Sequence, residues 1–310
     1  MDQVRTRLYD ALGTDREVEL SEVSVDELNS EQLLWISGNP ADVRAVATAS
    51  PEISRAVARA TACGGVEVES DFFQFCIPLG AAGQMTVAVG ATWLLTLAPT
   101  EPAFVTRFAD SDRSQTATGR LSPSTVAAAL LAAHLDDFRG DLAAIEKAID
   151  ALDETILRSR EKRAPLTTLA VLRRRISVVR HSLHELHGTI HGLTRPDVFA
   201  QIDPADQGHF QHLTRTFDRL EDAVARARET VVGSFELYTT RVAQDTNQLI
   251  KVLTIATVIT GIIGALAGIF GMNFDTPFAH WGFAGWACVV TAMLALSGGI
   301  LGLAFWRRWI

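Results

Sequence analysis

Two groups of side chains in this 310-residue chain have the chemistry to handle metal ions. The first lies in IFGMNFDTPFAHWG, residues 269–282, where Asn273, Asp275 and His280 sit between two long apolar stretches. Amide and carboxylate oxygens are hard donors of the kind Mg²⁺ prefers, and that ion sheds its water reluctantly. The second group is HSLHELHGTIH, which sets His181, His184, His187 and His191 at helical spacing beside Glu185. Imidazoles in such a row can ligate Zn²⁺; a solvated polar helix face is the alternative. The order is not HExxH, so zincin chemistry is not indicated. With no phosphate-cradling P-loop, dinucleotide fingerprint or GxSxG elbow, neither an enzyme nor a resident cofactor is expected.

These groups depend on the elements that carry them. From Val252 to Phe274 there is no charged residue, and from Thr276 to Trp306 the ionisable groups are His280 and Cys288. Each run exceeds the roughly 20 apolar residues that cross a bilayer, so two membrane spans are expected. Lys251 precedes the first span, Arg307 and Arg308 follow the second, and the hinge between has no Lys or Arg. The positive-inside rule then puts both long ends in the cytoplasm and the hinge outside. Trp281, Trp286, Trp306 and Trp309 fall near the interfaces, where indoles settle.

Placed on a helix, Asn247, Ile250, Leu253, Thr257, Gly261, Gly264, Gly268 and Gly271 recur in steps of three and four and share one face. Two readings fit that stripe. Gly264-xxx-Gly268 and Gly298-xxx-Gly302 are small-xxx-small pairs that allow close helix packing. Alternatively, the face lines a water-filled pore whose width comes from missing side chains. No proline separates Pro204 from Pro277, so the first span is expected to continue a cytoplasmic helix about 100 Å long.

The N-terminal part, residues 1–121, reads as an α/β domain. EVELSEV, LLWIS, VEVESDFFQFCIP and MTVAVGATWLLTLAP have strand character, and PADVRAVATAS and PEISRAVARATA are helices opened by prolines. From Ser122, SPSTVAAALLAAHLDDF and then PLTTLAVLRRRISVV begin long helices. The acidic excess of the chain, net −8, lies in residues 1–121, and no basic patch marks a nucleic-acid surface. Cys63, Cys76 and Cys288 are far apart and odd in number, so no disulfide is expected.

The stripe ends on Gly271-Met272-Asn273, and here the chain resembles the CorA family of divalent-cation channels. The resemblance rests on NQLIKVLTIATVITGIIGALAGIFGMNF, a short loop, a second span and a basic end. It extends to VGATWLLTLAPTEPAFVTRF, which looks like a sheet strand of that family. It implies an α+β membrane protein forming a funnel-shaped homopentamer in the lipid bilayer of the cell's inner membrane. The parts would be a cytoplasmic α/β domain (1–121), a helical region with a long stalk helix (122–250), a pore-lining span (251–271), an external loop (272–283), a second span (284–306) and a cytoplasmic tail (307–310). Gly271, Met272 and Asn273 would be the selectivity filter and Asp275 a mouth carboxylate. Asn247, Ile250, Leu253, Thr257, Gly261, Gly264 and Gly268 would line the pore, with Ile250 and Leu253 as an apolar gate. Glu236 matches approximately a regulatory metal position, with Glu229 and Asp245 on the same stalk. The cargo implied is Mg²⁺, with Co²⁺ and Ni²⁺. Two departures weaken the match: Ile262 stands where many members have proline, and Pro277 is not followed by an acid. The second points toward proton-coupled Zn²⁺ transport of the ZntB-like branch, although that branch often changes the middle residue of GMN. A membrane-anchored sensor or scaffold is a further alternative that would need neither the stripe nor GMN.

Overall fold

The computed structural model describes residues 4–11, 15–47, 50–60, 65–111, 122–158, 164–271 and 282–306. They divide into two compact units: residues 1–152 with 167–232, and residues 153–166 with 233–310.

The first unit is built on a seven-stranded sheet in the order β2-β1-β3-β7-β6-β5-β4. The strands are β1 (Arg5–Asp10), β2 (Arg16–Glu17), β3 (Gln32–Gly38), β4 (Val66–Val68), β5 (Phe73–Pro78), β6 (Gln84–Val89) and β7 (Trp93–Leu97). β3 and β7 pair in parallel, Leu34 opposite Trp93; the other pairs are antiparallel. The central strands β3 and β7 are buried on both faces, as runs such as LLWI and WLLTL require. Polar side chains in this dry layer are paired: the Trp35 indole donates to Thr96 Oγ1 at 3.1 Å, and that hydroxyl donates to the Ile36 carbonyl. The β6–β7 turn needs Gly90, because a Cβ there would lie 2.3 Å from the Trp93 ring.

Helices α1 (Pro40–Val46) and α2 (Pro51–Ala60) cover one face. Asn39 caps α1 by accepting from the Ala41 amide at 3.0 Å, with Pro40 in the first turn. Ile53, Ala56, Val57 and Ala60 form the apolar stripe of α2, packed in one cluster with Leu34, Ile36, Leu95 and Trp93. On the other face lie Phe73 and Phe75, with Phe210 of a later helix edge-on to Phe73. Thr189 Oγ1 donates to the Cys76 carbonyl at 2.9 Å. Cys76 is disulfide-bonded, correcting the expectation of no disulfide. Linear spacing does not record which thiols a folded sheet brings together. Cys288 is free and exposed.

The remaining helices are α3 (Ala103–Ser111), α4 (Pro123–Arg158), α5 (Ala164–Gly192), α6 (Pro196–Phe199), α7 (Gln207–Gly271) and α8 (Gly282–Trp306). The buried face of α4 includes Val126, Ala127, Leu130, Leu131, His134 and Leu135. His134 is 8% exposed and lies between Phe104 and Phe138, each ring centroid 4.8 Å away. Burial pushes its imidazole down to about 4, with Asp137 opposing. The unfolded chain takes up this proton near 6.5. Between those values the unfolded state binds more protons, so the stability from a neutral His134 is complete above pH 6.5 and is lost as pH falls toward 4. The loss should reach about 3 kcal/mol. His134→Phe keeps the aromatic contacts and should narrow the gap in Tm between about pH 7 and pH 4, measured on the full chain in detergent.

Candidate functional site

α7 is one continuous helix of 65 residues. Nothing in its sequence stops it: Pro204 lies before it, Pro277 after it, and Gly208 and Gly233 each cost only about 1 kcal/mol in a helix interior. Ile262, at the position where relatives were expected to carry proline, stays within it. The most apolar 18-residue windows of α7 and α8 have mean hydropathies of 2.3 and 2.1, and only 6% of either window is buried. Length and apolarity suit a bilayer, and the low burial separates both from the core helices of a soluble protein.

Within the second unit the first span has two unlike sides. Its less exposed positions are Ile255, Ile259, Ile262 and Leu266, a seam with steps of three and four. On α8 the less exposed positions are Gly285, Ala287, Val289, Val290, Met293, Ser297, Ile300 and Ala304. Ile250, Leu253, Thr257, Gly261, Gly264, Gly268 and Gly271 are all exposed. At ~100° per residue their mean direction is roughly opposite the Ile255–Leu266 seam. Asn247, also exposed, sits toward the edge of that stripe.

The glycines decide part of the packing question. A Cβ built on Gly261, Gly264, Gly268 or Gly271 meets nothing within 4 Å, and the same holds for Gly298 and Gly302. Within one chain, therefore, these glycines are not there to admit α8. The stripe also offers a hydroxyl: Thr257 Oγ1 donates to the Leu253 carbonyl at 2.8 Å. Its proton is used there, leaving the oxygen lone pairs as acceptors. Below Thr257, Ile250 and Leu253 are 54% and 67% exposed, so two bulky apolar side chains stand free at the level of Lys251.

Met272, Asn273 and Asp275 lie outside the described residues, as do Trp281, His280, Arg307, Arg308 and Trp309. Gly271, the first residue of Gly-Met-Asn, is the last residue of α7 and is exposed. Glu236 and Glu229 are exposed on α7, and Asp245 lies 3.7 Å from Arg241 one turn earlier.

The four histidines of α5 do not act as one set. His181 is 3.5 Å from Glu185 on its own helix. His187 and His191 instead face α7, 3.5 Å from Glu221 and 3.4 Å from Asp218; their ring centroids lie 4.3 Å apart, and that of Phe217 is 5.8 and 6.1 Å from them. Among the described residues no three His, Cys, Asp or Glu side chains are placed to hold one metal ion. His134 escaped the sequence reading; its signal was a titratable residue inside the apolar run AAALLAAHL.

The family model described as CorA-like Mg²⁺ transporter protein matches residues 77–307. The chain belongs to the CorA family. A cobalt/magnesium transport protein CorA from Thermotoga maritima is 31% identical over 180 residues, covering 58% of this chain and 50% of that protein. The aligned part thus spans half the length of that relative. Among solved structures, the complete CorA magnesium transporter from Methanocaldococcus jannaschii has a TM-score of 0.72 at 18% identity, covering all of both chains. The full-length CmaX protein gives 0.70 at 18%, over 99% of this chain and 98% of that one. The ZntB cytoplasmic domain from Vibrio parahaemolyticus gives 0.53 at 8%, over 78% of this chain and 99% of that domain. At such identities these likenesses speak for the fold: an N-terminal α/β domain, long helices and two apolar helices at the C-terminal end.

Proposed function

We propose that this protein carries divalent cations, Mg²⁺ foremost and also Co²⁺ and Ni²⁺, across the inner membrane through a homopentameric pore. Five copies of the Ile250–Gly271 stripe form its wall, and both chain ends lie in the cytoplasm. The observation that carries the reading is the exposed stripe set opposite the Ile255–Leu266 seam and ending on Gly271 of Gly-Met-Asn. A face of glycines beside open space needs another occupant, and a hydrated ion requires width and acceptors rather than bulk. Thr257 supplies an acceptor ring, and Asn273 supplies amide oxygens that grip the aqua ion without stripping it. Asp275 raises cation concentration at the mouth. Ile250 and Leu253 close the path by dewetting. Glu236, with Glu229 and Asp245, gives Mg²⁺ a place to relieve repulsion between neighbouring subunits and so favour closure.

The test is flux into liposomes containing the purified protein, comparing Mg²⁺, Co²⁺, Ni²⁺ and Zn²⁺ with and without a pH gradient. Mg²⁺ entry without a gradient is the expected result. Entry of Zn²⁺ alone, and only with a gradient, would move the protein to proton-coupled zinc transport, the reading favoured by the missing acid after Pro277. No divalent flux under any condition would leave a membrane-anchored scaffold.

The gate has its own test. Leu253→Gly removes the larger exposed side chain of the constriction, so water should persist there and leak should rise about tenfold at high internal Mg²⁺. Flux equal to wild type under that condition would place the constriction elsewhere.

A further inference from the structure

Two imidazoles of α5 and two carboxylates of α7 meet across one helix–helix contact, and none of the four belongs to the stripe. His187 Nδ1 lies 3.5 Å from Glu221 Oε2, and His191 Nε2 lies 3.4 Å from Asp218 Oδ1. His187 is 50% exposed and His191 39%, so both rings stay in exchange with solvent protons. Both separations are long for an N–H···O bond, and His191 Nε2, enclosed in the contact, has no hydrogen-bond partner among the described residues. The charged groups that face the two rings from α7 are both acidic. β4 and β5 pack near the same end of α5 through Val66, beside Gly192, and the Cys76 carbonyl, which accepts from Thr189. Neither contact is ionisable. On α5 itself Glu185 pairs with His181, and beyond its end Arg195 pairs with Asp197. His184 of α5 and Asp222 of α7 are exposed and make no ion pair with either ring.

With both rings neutral, Asp218 and Glu221 stand as like charges one turn apart, and no Lys or Arg is paired with them among the described residues. Taking up a proton gives each imidazole a positive charge and leaves both its nitrogens as donors. Each long contact then becomes a charge-assisted hydrogen bond, ordinarily about 2.7–2.9 Å, which draws the two helices together. The imidazoliums repel one another across 4.3 Å, but each faces its own carboxylate, and the Phe217 ring adds cation–π attraction. We propose that these four side chains form a proton-operated clasp, which fastens α5 to α7 at acid pH and releases it as pH rises. Its sign is opposite to that of His134, whose burial favours the neutral ring. α7 continues unbroken into the first span, so the clasp holds the helix that carries the stripe. All four residues belong to the first unit, and the clasp requires nothing of the proposed transport activity.

The test is amide hydrogen exchange of the full chain in detergent, read over residues 183–192 and 217–224. It is run at about pH 5.5 and pH 8, the two sides of the range in which histidine ordinarily titrates. At each pH wild type is compared with His187→Gln/His191→Gln, so the intrinsic effect of pH on exchange cancels. Wild type should exchange about tenfold more slowly than this variant at pH 5.5, the scale of two partly exposed ion pairs, and equally at pH 8. Asp218→Asn/Glu221→Gln should lose the same protection at pH 5.5. His187→Lys/His191→Lys keeps a positive charge at both pH values and should hold the protection at both. Equal exchange of wild type and the Gln variant at pH 5.5 overturns the clasp. So does an equal difference at both pH values, which would make the contact structural only. Protection at pH 5.5 that survives in Asp218→Asn/Glu221→Gln overturns it as well. The Lys and carboxylate variants decide the matter even if the Gln variant does not fold.

Discussion

Gly264→Leu is expected to stop divalent flux while leaving the protein inserted and assembled. Gly264 lies mid-span on the exposed stripe, and a side chain added there meets nothing within 4 Å of its own chain. In a pentamer the substitution would set an isobutyl group from each subunit into the axial path. Apolar rings of that kind exclude water from a narrow passage, so conduction should fall by about a hundredfold or more. Ile262→Leu on the covered seam conserves volume and should cost little, since such swaps usually stay under about 1.5 kcal/mol. The measurement is Mg²⁺ influx into liposomes, with the oligomer checked by light scattering in detergent. Wild-type flux through assembled Gly264→Leu would mean that the stripe faces lipid. Loss of the oligomer instead of loss of flux would mean that the glycines serve contact between copies.

The stripe was legible in sequence because a helix converts linear spacing into direction without help from the rest of the fold. Steps of three and four fixed its face, and the uninterrupted interval between Pro204 and Pro277 fixed the continuity of α7. The strands β3, β5, β6 and β7 were equally readable, since apolar β-rich runs bounded by Gly and Pro have few other uses. β1 was missed because RTRLYD buries only Thr6 and Leu8 and shows charge on its outward face. EVELSEV reads as a strand by alternation but yields only the two-residue β2 and a 3₁₀ turn at Leu20–Glu22, because an edge beside β1 offers little to pair with. What sequence could not supply was tertiary proximity. The disulfide at Cys76, the turning of His187 and His191 toward Asp218 and Glu221, and the aromatic enclosure of His134 all depend on which elements meet.

Asn273→Ala is expected to abolish selective Mg²⁺ entry. Asn273 follows the exposed end of α7 by two residues, beyond Gly271, and in the proposed pentamer it contributes a ring of amide oxygens at the outer mouth. Mg²⁺ keeps its water shell because dehydration is costly, so the mouth must recognise the hydrated ion by accepting hydrogen bonds from bound water. Alanine accepts none through its side chain, and the widened opening still presents Asp275. Cations should therefore gather at the mouth without being sorted. Mg²⁺ influx into liposomes should fall at least about tenfold, the scale of losing one charge-assisted hydrogen bond. Monovalent leak should hold or rise, because cations still gather at the mouth unsorted and the proposed gate at Ile250 and Leu253 opens as before. Asn273→Gln keeps the amide and should recover part of the flux if carbonyl chemistry is what matters. An assembled Asn273→Ala protein that still favours Mg²⁺ over Na⁺ as wild type does would remove Asn273 from the filter and leave selectivity to the Thr257 ring.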